Sequence, residues 1–240
     1  MRSLRLIVAA CVLAPVALTA TACGPNNDKS NGKSDATATA APTGAAAKAL
    51  TQDQLVKALL PVKELQYDEH RSSLGPTKTE FRFTADKPAC QPLLDLSDIR
   101  NAATPPPASA TGAYYGTNGR EYSVIQLTQF GTGQAAKAMT SAESALGSCA
   151  AFKATGSGHA ATKVTFSKAA FKAKGDATLG LMATFSSPEC GEGVCETRSY
   201  VVVRTGDVIT LVSNSALKDP GMPEEGIVDK QLDRLRTAAK

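Results

Sequence analysis

Two β-branched runs near the end of the chain, residues 197–205 and 207–213, constrain the fold more than any other stretch. They meet at Gly206-Asp207, and two such runs joined by a short Gly-containing link read as a β-hairpin. The region before them is also strand-rich. Val164 and Phe166 alternate with Lys163 and Thr165. Leu179, Leu181, Ala183 and Phe185 recur at every second position, which buries one face of a strand. Residues 79–84 read as a strand with Phe81 and Phe83 on one face. Residues 113–116 lead to an Asn118-Gly119 turn, a strong short hairpin signal. The return strand spans 120–130, with Tyr122 and Val124 on one face and Ile125 and Leu127 on the other.

Helical patterns sit at the start, middle and end. Thr51 and Gln54 make a capping box, and Leu50 and Leu55 occupy the positions of a hydrophobic staple. Leu55, Leu59 and Val62 form an apolar stripe that Pro61 ends or bends. Asp86 and Pro88 open a short helix carrying Cys90, Leu93, Leu94 and Leu96. Residues 102–112, with Pro105-Pro106-Pro107, read as an extended surface loop. Residues 132–147 are helical, with Ala135, Met139, Ala142 and Leu146 on one face. A last helix follows Pro223-Glu224-Glu225 and turns Ile227, Val228, Leu232 and Leu235 to the core. Its acids come first and Arg234 and Arg236 last, which complements the helix dipole. Hairpin-linked strands with helices on one face or both predict an α+β fold. The expectation is a single domain with a mostly antiparallel twisted sheet covered by helices and two disulfides.

The start of the chain gives an address. Arg2 and Arg5 precede an apolar run over residues 6–22, which has the form of a secretory signal peptide. At 17 residues, with Pro15 inside it, the run is at the short edge for a spanning helix, which needs about 20. Ala20-Thr21-Ala22 before Cys23 resembles the lipobox of bacterial lipoproteins. That resemblance implies a diacylglyceryl Cys23 and cleavage before it, and two acyl chains suffice for stable anchoring. Residues 24–48 have no aromatic residue and no Leu, Ile or Val, so they read as a flexible tether. The expected organisation is signal peptide 1–22, lipidated Cys23 and tether 23–48, and globular domain 49–240. The expected location is the extracytoplasmic face of the cell membrane.

An exported chain keeps its disulfides. Setting aside Cys11 and Cys23 leaves Cys90, Cys149, Cys190 and Cys195, with three possible pairings. Four residues, two of them Gly, separate Cys190 from Cys195 and let the chain turn back, which favours that pair. Cys90–Cys149 is then the remaining pair and would join two helices. A zinc site is disfavoured, because no CxxC and no paired His spacing is present.

Catalytic patterns are scarce. The two histidines, His70 and His159, lie in polar or small-residue surroundings and read as surface residues. There is no GxSxG, HExxH, P-loop or EF-hand pattern. Gly131-Thr132-Gly133 reads as a loop and helix cap rather than a phosphate cradle. Glu189 and Glu192 flank a turn and read as solvated. The chain has 26 basic against 22 acidic residues, and loss of Arg2 and Arg5 with the leader brings the balance to about +2, too weak to indicate nucleic acid. No metal and no cofactor are expected.

A helix opening at Leu50-Thr51, Cys90 in ACQPLLDL, Cys149 in GSCAAF and the late hairpin YVVVRTGDVITLV together resemble a known family. It comprises actinobacterial exported proteins similar to the extracellular sensor domain of the mycobacterial kinase PknH, many of them lipoproteins. The resemblance covers residues 50–240. It implies an α+β sheet domain, two disulfides and a cleft for an unidentified ligand, and no catalytic residues. With no Trp and few aromatic residues, this chain has little with which to line an aromatic cleft. The reading that follows is a non-catalytic ligand-binding or sensing module of the envelope, with the membrane and an unidentified envelope ligand or protein as its partners. The alternatives are a structural or protein-partner module and, with less support, a hydrolase of envelope polymers.

Overall fold

The computed structural model describes residues 48–240, apart from residues 66, 79–81, 117–121, 157–160 and 191–192. All of them belong to one compact unit, Thr43–Lys240. The segments expected to be a signal peptide and a tether (through residue 47), Cys23, Phe81, the turn expected at Asn118-Gly119, His159 and Glu192 lie outside the described residues.

In chain order the elements are α1 (Gln52–Ala58), β1 (Ser73–Pro76), β2 (Phe83–Ala85), α2 (Gln91–Ser97), β3 (Ala108–Tyr115), β4 (Tyr122–Gln129), α3 (Gln134–Leu146), β5 (Ala151–Gly156), β6 (Thr162–Ala169), β7 (Ala177–Ser186), β8 (Val194–Thr205), β9 (Val208–Ala216) and α4 (Glu225–Ala238). Among the described residues, nine strands form one sheet in the order β1-β3-β4-β9-β8-β7-β6-β5-β2. Every neighbouring pair is antiparallel. The α+β fold expected from the sequence is the one observed.

The late hairpin is the centre of that sheet. Thr205 pairs with Val208 across the Gly206-Asp207 turn, and Gly206 takes φ 59°, a conformation glycine adopts without steric cost. The turn also fixes a helix. The Asp207 carboxylate accepts the Gly133 N–H at 2.7 Å, at the start of α3. Gly133 itself is the cap residue, with φ 73°, so the Gly131–Gly133 segment is a loop and cap as expected.

Side chains alternate across β8, and both faces are covered. Tyr200 and Val202 join Leu181, Ile209 and Leu211 beneath α2 and α3. Val201 and Val203 join Ile125, Leu127 and Val212 beneath α1 and α4. A central strand buried on both sides needs apolar residues in succession, which is why Tyr200 to Val203 show no polar alternation. The helices therefore cover both faces, one pair on each.

The disulfides pair as the spacing favoured. Cys90–Cys149 has a Cα–Cα distance of 5.5 Å and Cys190–Cys195 one of 5.0 Å. Cys90 stands at the entrance to α2 and Cys149 just past the end of α3, so the first bridge clamps the two helices of one layer.

Local details differ from the sequence reading in identifiable ways. The loop expected at 102–112 ends at Pro107, and residues 108–112 belong to β3. Ala108 and Ala110 are buried in the core that α1 covers, where small side chains allow close approach. β1 and β5 were absent from the sequence reading. β1 is an exposed four-residue edge strand held by pairing with β3. β5 buries only Phe152, Ala154 and Gly156, a weak apolar signal. The second strand begins at Phe83 among the described residues. In α3 the buried face ends on Ala145, with Leu146 half-buried. Val62 lies in a separate 3-10 turn, Val62–Glu64, rather than on the α1 stripe, because the backbone turns extended at Leu59 and Pro61.

The expected capping box at Thr51 and Gln54 is present. The opposite end of α1 is satisfied in a way the sequence did not reveal. Gln231 on α4 is fully buried; its amide oxygen accepts the Leu60 N–H at 3.0 Å and its amide nitrogen donates to the Ala58 carbonyl at 2.9 Å. Arg234 does not simply sit in the field of its own helix end. Its guanidinium donates to the Lys57 carbonyl at 2.8 Å and the Leu59 carbonyl at 3.1 Å. Terminal carbonyls of α1, which have no partner within their own helix, are thereby capped by α4.

Candidate functional site

The α2/α3 layer covers only part of its side of the sheet. Beyond the end of α2 the strands β1, β3 and β4 are left open, and a cleft of about 460 Å³ lies there. Ser97, Asp98 and Arg100 form the wall at the end of α2, and Arg198 enters from β8. Its volume falls in the range of small-ligand sites.

The cleft floor is a polar network. Gln126 is buried; its oxygen accepts the Ile99 N–H at 2.9 Å and its nitrogen donates to the Thr111 hydroxyl at 3.3 Å. Thr111 also shares a hydrogen bond with Thr77 at 2.7 Å. The chain turn after α2 is thus tied directly to the floor.

Two arginines dominate the electrostatics. Asp98 caps the turn Ile99–Asn101 by accepting the Arg100 N–H at 3.0 Å. The same carboxylate takes Arg100 Nε on both oxygens, at 2.9 and 2.8 Å. Arg198 stacks on Phe185, 5.1 Å from the ring centroid, and pairs with Glu196 at 2.6 Å. Its Nε is buried and has no hydrogen-bond partner, and the buried hydroxyl of Tyr200 has none either. Burial works against the Arg198 charge, but the neighbouring Tyr200, Glu196 and Asp98 outweigh it and hold the guanidinium protonated above its ordinary range. Burial pushes the Tyr200 hydroxyl up to about 12, with Arg198 opposing. Tyr122 is raised by burial and by Tyr115, so its hydroxyl is a neutral donor at physiological pH.

Among the described residues one aromatic side chain, Tyr122, lines the cleft, in line with the small aromatic content of the chain. Tyr122 packs on Tyr115 at 4.8 Å between ring centroids, and Arg71 lies over Tyr115 at 5.8 Å.

A second cavity, about 550 Å³, lies between α2, α3 and the proline run. Pro105, Pro106 and Pro107 form a wall of it together with Leu96, Phe130 and Ala138. At its edge, burial raises the Asp95 carboxyl against the opposing effects of Gln91 and Arg82.

Of the residues weighed from sequence, Gly131 and the proline run line the second cavity, while His70 and Glu189 line neither. His70 is exposed in a turn and donates its N–H to Asp68. Glu189 is exposed. Among the described residues no three His, Cys, Asp or Glu side chains are grouped to hold a metal ion. The residues that build the cleft were missed. The available signal was Arg198, which sits two residues before Tyr200 and four before Val202, in the buried phase of an apolar strand.

No protein-family model matches the chain, and no curated protein matches it. Sheet order, paired helices and two disulfides define an α+β domain. Its fold is similar to that of the extracellular domain of PknH from Mycobacterium tuberculosis, at TM-score 0.55 and 17% identity over 80% of this chain and 99% of that one. The structure of the Rv0999 ortholog, an uncharacterized protein from Mycobacterium smegmatis, matches at TM-score 0.37 and 14% identity over 81% of this chain and 98% of that one. The fold resemblance read from the four sequence stretches is therefore matched by structure.

Proposed function

We propose that this chain is a membrane-anchored extracytoplasmic lipoprotein whose domain is a non-catalytic ligand-binding or sensing module of the cell envelope. The observation that carries the binding reading is the open cleft at the end of α2, with paired arginines over a hydrogen-bonded floor. The fold shared with the PknH extracellular domain supports an extracytoplasmic role. Two disulfides fit an oxidising compartment. The anchor rests on Cys23 and the residues before it. No helix of the described residues is long and apolar enough to cross a membrane.

A hydrolase would need a free carboxylate pair or a His-activated nucleophile in one cleft. Asp98 is instead occupied by Arg100, and Glu196 by Arg198. A protein-partner module remains the second reading, favoured by the proline-walled groove between α2 and α3.

The binding reading is tested by thermal-shift screening of residues 49–240 against lipids, muropeptides and glycans. A ligand at 100 times its Kd adds about 2.7 kcal/mol, which for a domain of this size raises the melting temperature by roughly 5–10 °C. Silence across all classes would move the account to a protein partner. For the anchor, Cys23→Ser is expected to release the protein from the membrane fraction. Retention of that variant with the membrane would refute lipidation at Cys23.

A further inference from the structure

The cleft contains a charge arrangement that a purely structural role does not require. Arg100 and Arg198 approach it from different elements, one from the turn after α2 and one from the central strand. Each is held by a carboxylate of its own, two residues away in sequence. The two guanidiniums still oppose one another, since the Arg198 charge acts against protonated Arg100. Lys78 adds a third cation at the rim. Three cations therefore stand against the two carboxylates Asp98 and Glu196. Around them are neutral groups able to donate to an oxyanion, the Tyr122, Thr111 and Ser213 hydroxyls. Arg198 Nε is already desolvated and unmet by any protein acceptor. Removing a charged donor from water without a partner is costly, and an acceptor brought by a ligand, with a small rotation of the guanidinium, would offset that cost.

We propose that the cleft takes a ligand through an oxyanion, a carboxylate or phosphate group, seated between Arg100 and Arg198, with Glu196 acting as the internal competitor that the ligand displaces from part of the Arg198 fork. This rests on the reading of the cleft as a ligand site and adds the ligand's chemistry. Arginine suits the role because its planar fork has five donors and can serve two acceptors at once. An oxyanion between the guanidiniums evens the charge balance and screens their mutual repulsion. The anion can belong to a soluble molecule or to a lipid headgroup, because both present the same group.

The test is calorimetric titration of the full chain in neutral detergent with matched pairs of probes. N-acetylmuramic acid is compared with N-acetylglucosamine, glycerol 3-phosphate with glycerol, and phosphatidylglycerol vesicles with phosphatidylcholine vesicles. The charged member of at least one pair is expected to bind about tenfold more tightly than its neutral counterpart, the effect of one charge-assisted contact. Arg198→Gln and Arg100→Gln should each abolish the preference. Glu196→Gln should strengthen anion binding by several-fold, an effect that a merely structural Glu196 would not produce. Preference confined to the vesicles, and lost in Arg198→Gln, assigns the anion to a headgroup; preference among the soluble pairs assigns it to a soluble ligand. Equal binding of charged and neutral members overturns the oxyanion proposal while leaving the cleft a ligand site. An anion preference that survives both arginine replacements also overturns it. Absence of binding by every probe overturns this proposal, and the broader reading is then decided separately by the thermal-shift screen.

Discussion

Replacing Cys90 and Cys149 together by Ala is expected to lower the unfolding free energy by about 4 kcal/mol, on the chain-entropy account of a crosslink. The two residues are 59 apart in sequence, so the bridge removes a large loop's freedom from the unfolded chain. It also clamps α2 to α3, the layer that ends at the cleft. The Cys190–Cys195 bridge closes a separation of only 5 residues. Its removal is expected to cost roughly half as much on the same account. Urea unfolding of the two double variants measures both values. Equal losses, or a larger loss at Cys190–Cys195, would contradict the assignment of the long bridge as the main crosslink.

Gln231→Leu is expected to cost about 3 kcal/mol, because it strands buried polar groups. The side chain is fully buried and joins α4 to both the Leu60 N–H and the Ala58 carbonyl. Leucine would match the apolar surroundings and still leave the Leu60 N–H without its acceptor. Arg234 retains a contact to the Ala58 carbonyl at 3.3 Å, so the amide is the more damaging loss. The neighbouring Lys230 is exposed, and Lys230→Gln serves as the control, expected to stay within about 0.5 kcal/mol of the parent. Chemical denaturation separates the two. A Gln231→Leu variant as stable as the control would show that the link between α1 and α4 has no energetic weight.

The parts legible in the sequence were those fixed by local chemistry. Thr51 and Gln54 cap α1 because a hydroxyl and an amide lie at the required spacing. The 197–213 hairpin was readable because its strands are rich in β-branched residues and its link contains Gly. The Cys190–Cys195 pairing followed from two glycines in a short span. The edge strands were not legible. Ser73–Pro76 has little intrinsic strand preference and is extended because β3 offers it hydrogen-bonding partners. The cleft was not legible either. Asp98 and Arg100 are far in sequence from Glu196 and Arg198; the Gln126 bond to the Ile99 N–H ties their turn to β4, and the pairing of β4, β9 and β8 brings Arg198 into the same cleft. Gln231 offered a partial signal, being a polar residue in helical phase with Val228, Leu232 and Leu235. A buried amide in such a stripe needs partners, and the partners came from the far end of the chain.

The measurement closest to the central claim is a two-dimensional amide NMR spectrum of residues 49–240, recorded with and without a ligand that raises the melting temperature. The account predicts shifts concentrated on Thr111, Tyr122, Gln126, Arg198 and Ser213, which surround the cleft. Shifts concentrated instead on Phe130, Gly131 and Ala138 would place binding in the proline-walled groove and contradict the cleft as the site of recognition.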